Sequence, residues 1–446
     1  MPVEPAVSPP EVPRGHPRGL STLFFTEMWE RFSFYGMRSL LTLYLIAPAE
    51  EGGLGMTKKE AGSVYGWYLG LVYAASLPGG WIADRYLGQF RAVLLGGIII
   101  AFGHFSMAID SIPFFYVGLG LIIAGTGLLK PNVSSQVGAL YGEGDLRRDA
   151  GFSIFYMGIN LGAFIAPLVC GTLGQEVRWH WGFAAAGVGM VLGLIQYWLG
   201  RAPLLAANRR LEETKRALRA SNEAAGVFFS PGEWRRLAVI AVLFLFSAIF
   251  WAAFEQAGSS LTVFADEFTR RSVFGRTFPS SWFQSVNSLF IIALAPVFAW
   301  LWRALGSRQP GGSVKFALGL LFAGQGFLLL VPAARLAQPA AGEVDPVSPW
   351  WLVGVYFCHT VGELCLSPVG LSLMTSLAPP RIMGSVMGIW FLSTAVGGKV
   401  GGWVAGLVMD MPLSQLFGSV FATAAGAGVL LALLARPIER LAGTRR

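Results

Sequence analysis

RAPLLAANRRLEETKRALRASNEAAGVFFS, residues 201–230, is the only long polar segment of the chain, and it decides the fold because six apolar runs precede it and six follow. The outermost runs extend from about Ser21 to Ala47 and from about Pro412 to Leu434, and each is long enough to cross a hydrocarbon core of roughly 30 Å. Breaks at Pro, Gly and charged residues separate them. The organisation that follows is a tail over 1–20, a six-helix bundle over 21–200, a linker over 201–232, a second six-helix bundle over 233–436, and a tail over 437–446. Inside the linker, LEETKRALRA (Leu211 to Ala220) reads equally as a short charged helix on the inner leaflet or as plain connection.

Working outward, 54% of the 446 residues are hydrophobic and only 13% are charged, so a water-soluble fold is excluded. Backbone groups in lipid must be satisfied within the segment, which leaves helices or a closed barrel, and the runs lack the period-2 alternation of barrel strands. The expectation is an all-α membrane protein of about twelve spans. Basic residues are retained on the cytoplasmic side, and most of the 33 Lys and Arg fall on the side that also holds the linker and both ends. Both termini are therefore expected in the cytoplasm, with the chain multi-pass in the inner (plasma) membrane.

The net charge of +8 belongs mainly to that face, where it matches anionic lipid; no nucleic-acid role and no protein partner are implied. The Pro-rich, polar start is not a signal peptide. Cys170, Cys358 and Cys365 fall within spans and read as small apolar packing residues. His16, His104, His180 and His359 are scattered, with no HExxH or GxSxG motif, so neither a metal nor an enzymatic site is expected.

Ionisable groups inside spans cost roughly 2.5 to 3.5 kcal/mol each on insertion scales, so each asks for a partner or a function. Glu27, Glu30, Arg31, Arg38, Lys130, Glu255, Glu363 and Lys399 stand out, four acidic and four basic. In FFTEMWERFSFYGMR (Phe24 to Arg38), residues 27, 30, 31, 34, 35 and 38 follow i, i+3, i+4 spacing and share one helix face. That face must meet the bundle interior or a watery cavity. Any one of these charges can be read as a staple between helices, but a stripe of four in three turns reads as function.

Lys130 opens KPNVSSQVGALY, where Pro131 removes a backbone donor beside the ammonium. Asn160 lies one turn beyond Tyr156, Glu255 one turn beyond Trp251, and Glu363 close to Pro368. Arg38 and Lys130 come from the first half, Glu255 and Glu363 from the second. A cavity between the halves would then have a basic wall and an acidic wall, complementary to a zwitterion such as a small peptide. Tyr35, Tyr156, Trp251 and Trp390 supply aromatic area, although each alone reads more readily as packing.

Six runs on either side of a basic linker, with GGWIADRYLG (Gly79 to Gly88) after the second, resemble the major facilitator architecture, whose halves rock about a midplane site. EMWER (Glu27 to Arg31), KPNVS (130–134), FSIFYMGINLGAF (Phe152 to Phe164), EQ-x-GSS (255–260) and GEL-x-LSP-x-GLS (362–372) together resemble the proton-dependent oligopeptide transporter family, in a bacterial member. The resemblance implies a symporter of di- and tripeptides with no cofactor, protons being the coupling ion. Glu27, Glu30 and Arg31 would carry the proton, with Glu255 and Glu363 taking part. Arg38 and Lys130 would contact the peptide carboxylate, and Asn160, Asn287 and Glu363 its amino end or backbone. Tyr35, Tyr73, Tyr156, Trp251 and Trp390 would shape the pocket. Arg38 with Glu255 and Lys130 with Glu363 would form exchangeable salt bridges closing the outer side.

This sequence departs from the family pattern in places. Phe34 stands where tyrosine is usual, removing one pocket hydroxyl; Ser288 follows Asn287 where proline is common; Ser376 replaces a frequent lysine; and Lys399 adds a charge, as a helix contact or as a group that tunes the substrate. A non-peptide anion or drug as cargo remains the alternative to peptide.

Overall fold

The computed structural model describes residues 15–141, 145, 147–209, 229–273, 275–338, 344–379, 383–407 and 411–442. The possible linker helix over Leu211 to Ala220 lies outside them. Among the described residues the chain runs as twelve rods: α1 (Gly19–Ile46), α2 (Lys58–Ala74), α3 (Gln89–Met107), α4 (Ile112–Ala139), α5 (Arg148–Ala166), α6 (Trp179–Leu199), α7 (Pro231–Phe254), α8 (Phe283–Leu305), α9 (Gly312–Ala337), α10 (Trp350–Leu377), α11 (Met383–Gly406) and α12 (Leu413–Ala442). Rod α2 continues through Ser76–Ile82 into a π-helical turn, Ala83–Leu87, and α7 continues through a 3-10 turn, Glu255–Gly258, into Ser260–Glu267. Nine segments among the described residues are long and apolar enough to cross a membrane. The charged α1 is not among them, as expected of a helix whose charges face inward.

Local sequence sets the helix starts. Thr57 and Glu60 form a reciprocal cap on α2, the Thr57 hydroxyl accepting from the Glu60 N–H at 3.2 Å and the Glu60 carboxylate from the Thr57 N–H at 2.9 Å. Ser230 and Glu233 cap α7 in the same way, with Pro231 at the first helical position.

Among the described residues each apolar core cluster belongs to one half, two in residues 20–204 and two in residues 239–438. The halves touch chiefly where α2 runs along α11 and α5 along α8. The first seam is made of glycine: a Cβ on Gly402 would come within 2.4 Å of the Gly66 Cα. Gly402→Val should therefore push the halves apart and cost on the order of 1 to 3 kcal/mol, read as a fall in thermal stability of the purified protein. An unchanged melting temperature would show that the seam tolerates separation.

Candidate functional site

A cavity of about 2590 Å³ lies between the halves. Asp84, Gln89, Arg148, Gly306 and Gly311 line it, all at the end where the linker connects α6 to α7, so it opens there. The opposite end is shut. Arg38 pairs with Glu255, Lys58 Nζ donates to Glu267 Oε2 at 2.6 Å, Thr42 donates to the Gly258 carbonyl at 2.6 Å, and the Trp282 indole donates to Thr172 Oγ1 at 3.0 Å. Each of these joins one half to the other.

Residues Glu27, Arg31, Tyr35 and Arg38 of α1 all face this cavity. Arg31, 4% exposed, holds both neighbouring carboxylates: its Nη2 donates to Glu30 Oε1 at 2.7 Å, its Nε also donates to Glu30, and Glu27 Oε1 lies 3.3 Å from that Nε. Glu27 Oε2 is buried with no hydrogen-bond partner. One cation thus serves two carboxylates, leaving one oxygen facing the cavity side unsatisfied. A proton on Glu27 would remove the charge that this oxygen otherwise carries unmatched.

Glu30 itself does not line the cavity, and neither does Phe34. The expected six-residue stripe is narrower than helical spacing implies. Residues 30 and 34 stand on the α2 side of the helix, where Phe34 is 3% exposed and stacks on Tyr68 at 6.4 Å, with the Arg31 guanidinium 5.0 Å from its ring centre. Phe34 is a core residue behind the site, so the absent hydroxyl is not taken from the cavity wall.

One turn further, Arg38 Nη2 donates to Glu255 Oε2 at 2.6 Å and its Nε to the Tyr65 hydroxyl at 2.8 Å. The α7 break explains the reach: α7 ends at Phe254, and the 3-10 turn turns Glu255 toward α1. The expected second bridge is not made. Lys130 Nζ instead lies 3.8 Å from the Tyr73 ring centre, and Glu363 Oε2 accepts from Asn287 Nδ2 at 3.3 Å, an amide that also donates to Thr360. Lys130 stands on α4 and Glu363 on α10, and neither helix lies in the α2–α11 or α5–α8 seams that hold the halves together here.

Tyr73, Tyr156, Asn160, Trp251, Asn287 and Trp390 all line the same cavity. Asn160 Nδ2 donates to the Tyr156 carbonyl at 3.0 Å, which fixes the amide plane. The Trp251 indole N–H is buried without a partner. Lys399 is absent from the lining; its Nζ lies 3.9 Å over Trp67, an exposed ring on the outer face of the α2–α11 seam, so the helix-contact reading holds. Sequence reading missed Tyr65, which looks like any aromatic in a span, and the Lys58–Glu267 pair, whose members look like separate loop charges. An arginine needing more acceptors than one carboxylate was the available signal for Tyr65.

Two six-helix halves around a central cavity, open at one end and bridged by ion pairs at the other, define a multi-pass membrane transporter of the major facilitator kind. The chain belongs to the POT family, whose PTR2 model matches residues 90–214 and 223–423. It is similar to the peptide transporter YePEPT of Yersinia enterocolitica (40% identity, 96% of this chain and 95% of that protein) and to a di-/tripeptide transporter of Lactococcus lactis (36%, 97% and 98%). Among solved structures it resembles a peptide transporter POT in complex with sulfate (41% identity, TM-score 0.85, 96% of each chain) and a POT family transporter in complex with 5-aminolevulinic acid (31%, TM-score 0.86, 95% and 97%).

Proposed function

We propose that this chain is a proton-coupled symporter that imports di- and tripeptides by alternating access. The observation that carries it is a cavity lined by Arg38 and Lys130 of the first half and by Glu255 and Glu363 of the second, in which Arg38 is paired with Glu255 while Lys130 and Glu363 stand apart. A zwitterionic peptide fits that polarity, and relatives at 40% and 36% identity are peptide transporters. Glu27, Glu30 and Arg31 form the proton-coupling cluster, the carboxylates taking the proton beside the Arg31 cation, and no cofactor is needed. The basic linker end faces the cytoplasm of the inner membrane, with both termini, and contacts anionic lipid. The conformation described here is then inward-facing.

Uptake of a dipeptide into proteoliposomes under an inward proton gradient tests the reading. Accumulation above equilibrium is expected, and its absence with every dipeptide tried would overturn it. A second reading, a non-peptide zwitterion as cargo, is favoured by the relative solved with 5-aminolevulinic acid, which carries the same two end groups. Thermal-shift comparison of dipeptides with such compounds separates the two, since the true ligand stabilises the fold.

Lys130 is half-buried in the cavity wall with an aromatic face and, among the described residues, no carboxylate within ion-pair distance. It is therefore open to a substrate carboxylate. Lys130→Ala should raise the peptide KM by about tenfold or more, the scale of a charge-assisted contact of 1.5 to 3 kcal/mol. A wild-type KM and rate would remove Lys130 from the site.

A further inference from the structure

At the linker end the cavity has a recess in the second half that the central site does not use. Trp302 of α8, Gly311 and Lys315 at the start of α9, Leu373 of α10 and Glu439 of α12 line it, together with Gln309. Lys315 is only 8% exposed; its Nζ donates to Gln309 Oε1 at 2.9 Å and lies 4.2 Å from the Trp302 ring centre. Neither neighbour carries a negative charge, and two ammonium protons are left over.

Glu439 approaches from α12. Its Oε1 occupies the space beside Gly311, where a Cβ would come within 1.9 Å of it, and that oxygen is buried with no hydrogen-bond partner. Among the described residues neither Lys315 nor Glu439 joins an ion pair, with each other or with any other side chain. A buried cation and a carboxylate held apart at one recess are costly unless something joins them. The polarity of the central site, basic against acidic, is repeated here on a smaller scale.

We propose that this recess is a second, vestibular subsite for the same zwitterionic peptides, taking the carboxylate on Lys315 and the ammonium on Glu439 between the central site and the linker-side opening. The inference rests on the reading of the chain as a peptide transporter. Because the recess lies toward the linker-side opening, it acts on peptide arriving from or leaving to that side. A lipid ammonium and phosphate offer similar end groups, so the test must separate lipid from peptide.

The experiment measures the KM for efflux and for uptake of alanyl-alanine in oriented proteoliposomes, for wild type, Lys315→Gln, Glu439→Gln and the charge-preserving Lys315→Arg. The ratio of efflux KM to uptake KM, with efflux taking peptide from the linker side, is expected to rise about fivefold in each neutral variant, the scale of one partly exposed charge contact. Lys315→Arg should return most of that change. A ratio that stays at the wild-type value in both neutral variants overturns the subsite, as does a change seen only in vesicles containing phosphatidylethanolamine, which would assign the recess to lipid. Wild-type protein that moves no dipeptide would instead overturn the functional reading itself, and the subsite with it. The two neutral substitutions lie on different helices, so loss of folding in one leaves the other decisive.

Discussion

Glu30→Gln is expected to abolish proton-driven accumulation of peptide while leaving counterflow exchange close to the wild-type rate. Glu30 is 1% exposed and makes both of its carboxylate contacts to Arg31. With Glu27 and Glu30 ionised, the cluster holds two negative charges against one positive, a net −1. One proton brings it to neutral, and so does the amide. With Glu27 ionised, the variant already has the net charge that one proton gives the wild-type cluster, so protonation at position 30 can no longer drive the change. Exchange of peptide for peptide requires only that the loaded carrier reorient, which the neutral cluster permits. The measurement is labelled-dipeptide accumulation under an inward proton gradient beside counterflow without one. Concentrative uptake at the wild-type level would remove Glu30 from coupling. The isosteric change also keeps an acceptor and a donor beside Arg31, so the helix face stays intact; Arg31→Met, by contrast, strands two buried carboxylates and should cost about 3 to 5 kcal/mol of stability.

How much of this was legible in the sequence depended on whether one helix or several decide a feature. The spans, the two halves and the charged face of α1 are set by periodicity within single segments. Residues 27, 31, 35 and 38 accordingly all face the cavity. The exact rotation of α1 is set by its neighbours. Gly162 of α5, where a Cβ would come within 2.1 Å of the Met28 carbonyl, lets the helices approach and helps fix which row of α1 points inward. Spacing alone could not place Glu30 and Phe34 outside that row. Charge inventory supplied the four residues that the family resemblance pairs into two bridges, yet which bridge is formed depends on the conformation, and this one closes the end with Arg38–Glu255 while Lys130 and Glu363 stay apart. Lys399 was ambiguous because a lysine near a seam can face either way; only the packed α2–α11 contact turns it to Trp67.

Glu255→Gln should shift the protein away from the conformation described here, opening the end opposite the linker. Arg38 and Glu255 are 5% and 4% exposed and joined at 2.6 Å, and they are residues from different halves. A unit charge pair at 4 Å attracts by about 4 kcal/mol where the effective dielectric is near 20. The pair exists only while the halves meet at this end, so its attraction counts toward one conformation and not toward the open one. Replacing the carboxylate by an amide also leaves a buried guanidinium with neutral partners only, the amide oxygen, the Tyr65 hydroxyl and the Tyr35 ring at 5.5 Å, at a cost of about 3 kcal/mol confined to the closed end. A change of that size moves a two-state balance by a factor of about a hundred or more. The Lys58–Glu267 pair, 23% and 33% exposed, is screened by solvent and cannot make up the difference. Spin labels at the exposed positions Glu50 and Arg276, in a background without the three native cysteines, report the span across this end. Longer distances should dominate in Glu255→Gln, and the double variant with Arg38→Gln should cost less than the two single changes added together. On the proposed function, a peptide carboxylate bound to Arg38 would draw it from Glu255 in the same way. A distance distribution identical to wild type would mean that substrate and proton must act on the closed end through some other contact.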